Sequence, residues 1–173
     1  NPFERVAGWS SLSIGLYFMI LAGLLAVPTG THFPGLISVI YTINTGVHVP
    51  ILELVGTWMV ICVIALVMCS VLGSRHIRII DVIGTIALSR SPYLLASLVG
   101  YTTQLGLERI IWQALILPIL IVIIGWSLFL LFHALKVSAN LKGYRVWIVF
   151  VIILAVTQAT TSLFINQFYL IIL

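Results

Sequence analysis

Few side chains in this sequence could do chemistry. Glu53, Asp81 and Arg90 fall within or beside long apolar runs, and Glu108 with Arg109 lies between two of them. An ionisable group held at membrane depth commonly marks an ion or proton route, so Glu53 is a candidate for binding a proton or a cation. Its plainer role is a carboxylate near the membrane interface, hydrogen-bonded to loop donors. His32, His48, His76 and His133 are scattered, and no pair has the helical spacing that presents two ligands to one metal ion. Cys62 and Cys69 would lie two helical turns apart on one face, too far for a disulfide and suited to packing.

Enzyme chemistry makes demands this chain does not meet. A serine nucleophile needs a base to take its proton, and no histidine accompanies a Gly-x-Ser-x turn at membrane depth. There is no His-Glu-x-x-His, no paired-carboxylate motif, and no glycine-rich loop ending in Lys-Ser/Thr that would cradle phosphates. The sequence therefore names no catalytic, cofactor-binding or metal-binding residue, and a non-enzyme is expected. Nucleotide-driven work would require a partner.

A second group of residues suits contact rather than catalysis. Gln158, Ser162 and Asn166 recur every four residues, with Thr157, Thr161 and Gln167 beside them, so a helix would carry a polar stripe. Thr102, Thr103 and Gln104 add polar groups late in an earlier apolar run. Hydrocarbon offers such groups no partners, so they should face protein, either within the bundle or on a docking or pathway surface. Ala96 and Gly100 form a small-xxx-small pair that permits close helix approach.

The elements that must position these residues follow from composition. A chain that is 62% hydrophobic and 7% charged cannot cover a soluble core with polar surface, so its solvent is expected to be lipid. The net charge of +4 sits in short connections and reads as a topology signal, with no nucleic-acid partner expected. Crossing the hydrocarbon core takes about 20 residues. The pattern then predicts one all-α, polytopic transmembrane bundle over 1–173, with five spans at 12–28, 50–72, 92–107, 110–132 and 146–169 and an interfacial helix at 81–90. Further runs after the first argue against a cleaved secretory signal.

Basic residues set the orientation. Arg75, Arg78, Lys136, Lys142 and Arg145 gather at alternate ends of the runs, which places the amino terminus in the cytoplasm and the carboxyl terminus outside. The first external connection, 33–49, holds Ile37, Val39, Ile40, Tyr41 and Ile43 without a charge. It either lies in the interface or dips into the membrane, or it packs as an apolar loop on the bundle.

The third span carries the most local information, from Asp81 through Gly84 to Arg90, Pro92 and Tyr93. A charge at the centre of a lipid-exposed helix costs about 2.5–3.5 kcal/mol on insertion scales, so Arg90 needs a special place. One arrangement is a surface helix from Asp81, with Arg90 snorkelling to the headgroups and a short span starting at Pro92. The other is a continuous kinked span with Arg90 facing the bundle interior. The first is preferred because it keeps both charges near headgroups.

Five spans, a basic connection after the second, and Asp81-Val82-x-Gly84 leading through Ser91-Pro92-Tyr93-Leu94-Leu95 resemble the Yip1 family, particularly its bacterial branch. The Asp-Leu-Tyr-Gly-Pro motif of eukaryotic members is absent, and Gly84 and Pro92 stand farther apart than in their Gly-Tyr-x-x-x-Pro element. The resemblance implies a non-catalytic accessory or assembly subunit of a membrane transport complex of ABC exporter type, or of a trafficking complex. Its setting would be the bacterial cytoplasmic membrane, or else a eukaryotic endomembrane. On this view Ala96, Gly100, Gln158, Ser162 and Asn166 dock an integral membrane partner, such as an ABC-type transporter subunit or a second copy, and the basic residues face anionic lipid or a cytoplasmic partner. The competing expectation is a small transporter or channel subunit with Glu53, Arg90 and the fifth-span stripe lining a route.

Overall fold

The first long element, helix α1 (Trp9–Thr29), contains no charged side chain, and a helix lets such a segment satisfy its backbone internally. It runs one residue past Pro28 before Gly30 closes it in the left-handed conformation (φ 61°). The computed structural model describes residues 8–41, 46, 48–72, 78–102, 109–141 and 143–172, with side chains at all of these except 109–113, 162 and 164–172.

After α1, two short strands, β1 (Thr31–His32) and β2 (Ile40–Tyr41), pair antiparallel, Thr31 opposite Tyr41 and His32 opposite Ile40. Helices α2 (His48–Leu72), α3 (Ile79–Ser89), α4 (Tyr93–Gly100), α5 (Arg109–Ser138) and α6 (Tyr144–Ile172) follow. Among the described residues five stretches are long and apolar enough to cross a membrane, and the third of them, Ile79–Gly100, joins α3 to α4. Between these two helices the N–H groups of Arg90, Ser91, Tyr93 and Leu94 reach back three residues instead of four. Pro92 explains the break, since it has no N–H to give and its ring excludes the carbonyl four residues earlier.

This third stretch is the centre of the molecule, 61% buried where the other four are 22–33% buried. Helix α1 runs parallel to it: Ser11 lies against Gly84, Gly15 against Ala87, and Ser97 Oγ donates to the Ala22 carbonyl at 2.7 Å. The approach is close enough to require glycine, because a Cβ on Gly15 would stand 2.5 Å from the Ala87 carbonyl carbon. Helix α5 runs the opposite way, with Ser127 Oγ donating to the Ser89 carbonyl (2.9 Å) and Ser138 Oγ bonded to Thr85 Oγ1 (2.8 Å).

Two apolar cores result. One gathers Ile61, Ala65, Ile86, Leu131 and Ile153 from α2, α3, α5 and α6. The other gathers Ala22, Leu54, Tyr93, Ala96 and Ile123 from α1, α2, α4 and α5. The connection between α1 and α2 contributes to both, through Leu36 to the first and Phe33 to the second.

Candidate functional site

Polar chemistry concentrates where that connection enters the bundle. Phe33 is 0% and Leu36 1% exposed, so the segment packs into the helices as an apolar loop. Glu53, one turn into α2, accepts the Phe33 N–H at Oε2 (2.7 Å) and pairs His32 Nδ1 at Oε1 (3.2 Å). Both carboxylate oxygens are thus engaged by groups of the connection. On the far side, Gln158 Nε2 of α6 donates to Ser38 Oγ at 3.1 Å. The Tyr41 hydroxyl donates to the Ala96 carbonyl at 3.2 Å, and burial pushes its phenol above the ordinary value, which keeps it a neutral donor. The Tyr93 hydroxyl donates to the Leu36 carbonyl at the bottom of the loop.

Arg90 departs from the placement the sequence favoured. Its side chain does not reach a surface but is fully buried at the turn between α3 and α4, as in the alternative with Arg90 facing the bundle interior. The reason is packing: Gly84 and Ala87 let α1 come so close that α3 is drawn into the bundle with Val82, Thr85 and Ile86 buried. The Tyr93 ring covers the guanidinium, with Cζ 4.2 Å from the ring centroid, and the Arg90 backbone N–H closes the last turn of α3 on the Ala87 carbonyl. Yet Nε, Nη1 and Nη2 have no hydrogen-bond partner among the described residues. A desolvated cation–π contact contributes about 2 kcal/mol, whereas leaving one charge of a buried pair unmatched costs about 3–5 kcal/mol. The aromatic face therefore offsets only part of the penalty. Thr157 Oγ1 and Gln158 Oε1 are also buried without a partner among the described residues.

The remaining sequence candidates divide. Ala96 is fully buried, and Gly100 meets α1, where a Cβ would stand 2.7 Å from the Thr29 side chain, so both small residues are occupied from within. Ser162 and Asn166 lie on α6, and their side chains are outside the described set, as are residues Arg75 and Lys142. Arg78 and Lys136 are exposed, and Arg145 caps α2 through Nη1 to the Leu72 carbonyl at 3.3 Å. Asp81, half-buried in the first turn of α3, suits that helix's positive end. Cys62 and Cys69 are free and buried as packing residues.

Sequence reasoning missed the two tyrosines that fasten the loop. The available signal was an aromatic with a hydroxyl inside apolar runs, where a buried phenol must find an acceptor. It also missed Trp58, whose indole N–H donates to the Ile83 carbonyl at 3.3 Å.

The fold and site together define a mostly helical chain with five helices long and apolar enough to span a membrane, compatible with an integral membrane protein. No family model, curated protein or solved structure matches the chain.

Proposed function

We propose that this chain is a multi-pass protein of a bacterial cytoplasmic membrane, amino terminus cytoplasmic and carboxyl terminus external. It works without catalysis, as an accessory or assembly subunit of a transport complex. The alternation of basic ends supports the orientation, and the Yip1-like pattern supports the ABC exporter-type setting. The observation that carries docking is the uncovered flank of α5. Among the described residues, α4 has eight residues, is about 12 Å long and shields only part of the 30-residue α5 beside it. The two leave a furrow of about 630 Å³ lined by Leu95, Leu98, Val99, Pro118, Val122 and Trp126. Its occupant is a transmembrane helix of a partner subunit, which would add the packing that α4 is too short to supply.

Purification in mild detergent with partner identification tests this. The expected result is a stoichiometric integral membrane partner that is lost on Val122→Trp while the unfolding midpoint is kept. Recovery of the chain alone and monomeric, or retention of the partner by Val122→Trp, contradicts docking at the furrow. A second copy in the furrow would appear as a homodimer.

Buried Arg90 favours a second reading, a small transporter or channel subunit. That reading requires solute flux in liposomes holding this protein alone, and its loss on Gln158→Leu.

A further inference from the structure

The interior holds one full charge that nothing in the described bundle neutralises. We propose that Arg90 binds a small oxyanion, a carboxylate or phosphate group, in a site closed by the connection 31–41, and that this structure is its closed form. A guanidinium is a planar fork of N–H donors that matches carboxylate or phosphate oxygens two at a time. Here Nε, Nη1 and Nη2 are all unmatched, while Tyr93 takes up the face of the group and leaves its in-plane edge. The described carboxylates do not serve. Glu53 is engaged by Phe33 and His32, and Asp81 is nine residues back along α3, about 13 Å away at helical rise. Water would satisfy the donors but leave the charge, whereas an anion does both.

The way in is the connection itself. Tyr93 couples the two parts, since its ring lies on Arg90 and its hydroxyl fastens the Leu36 carbonyl. Glu53 holds one side of the connection at Phe33, and Gln158 holds the other at Ser38. Residues 33–39, which include both fastened positions, form no regular structure. Withdrawing them would also open Thr157 Oγ1 and Gln158 Oε1, buried without a partner among the described residues, to water. The site is independent of docking at the α4–α5 furrow, because different variants probe it.

The test uses the full chain in phosphatidylcholine nanodiscs, its thermal unfolding followed while sodium phosphate or sodium acetate is titrated at ionic strength held constant with sodium chloride. A saturable rise of several degrees is expected in the wild type and none in Arg90→Gln. No rise in the wild type, or an equal rise in Arg90→Gln, overturns the proposal. Should Arg90→Gln fail to fold, Arg90→Lys keeps the charge but loses the fork, and its half-saturating concentration should be several-fold higher; an unchanged value overturns the site. Tyr93→Phe weakens the closed form while keeping the aromatic face, so half-saturation should fall several-fold, and an unchanged or higher value overturns the gate. A rise that appears without added oxyanion once phosphatidylglycerol replaces part of the lipid assigns the ligand to a headgroup. Dependence on added phosphate or acetate assigns it to a solute.

Discussion

Glu53 and Arg90 are both drawn into the same bundle, and the structure treats them in opposite ways. The carboxylate lies where a loop turns into a helix, so free backbone and imidazole donors converge on it. The guanidinium lies where one helix ends and the next begins within the core, among groups already spent: the Ser89 carbonyl on Ser127, the Tyr93 hydroxyl on Leu36. A buried charge with partners is a staple. One without partners is a cost that folding alone does not explain, and that contrast separates the structural candidate from the functional one.

The comparison breaks most sharply at the staple. Glu53→Ala leaves the Phe33 N–H and His32 without their acceptor and should destabilise the fold by about 3–5 kcal/mol. Thermal unfolding measures the loss, and hydrogen exchange should show it first at residues 31–41. At the turn, Arg90→Met should have the opposite sign. In phosphatidylcholine nanodiscs without added phosphate or acetate it removes an unmatched charge and keeps an unbranched apolar chain, raising stability by about 1–4 kcal/mol; a fall in the midpoint would mean that the arginine has a partner. Smaller effects sharpen the picture of the loop. Gln158→Leu removes the bond to Ser38, and a loss of about 1 kcal/mol is expected by chemical denaturation. Gly15→Ala should also destabilise, by about 1–3 kcal/mol through overpacking against Ala87, and unlike Gln158→Leu it should leave exchange in the connection unchanged.

Much of the architecture was legible in the residues, because apolar length is a direct consequence of what a helix needs to cross hydrocarbon. Among the described residues five helices are long and apolar enough to span a membrane, and the break at Arg90–Pro92 follows from a proline that cannot continue the hydrogen-bond ladder. What was not legible is depth. Nothing local distinguishes an arginine at a headgroup from one in a core, and only the approach of α1 at Gly84 and Ala87 decides it. The same holds for Ala96 and Gly100. Their small size announces a close contact, but whether the neighbour is α1 or another protein depends on residues far away in sequence. The loop was ambiguous for a related reason, since its fasteners, Tyr41, Tyr93 and Gln158, find acceptors 55, 57 and 120 residues distant.

The contrast between the two charges is tested most directly by the unfolding midpoints of Glu53→Gln and Arg90→Met, compared with wild type in the same phosphatidylcholine nanodiscs without added oxyanion. The account predicts a midpoint lowered by the first substitution and held or raised by the second. A midpoint lowered equally by both would show that Arg90 is as well partnered as Glu53, and would contradict it.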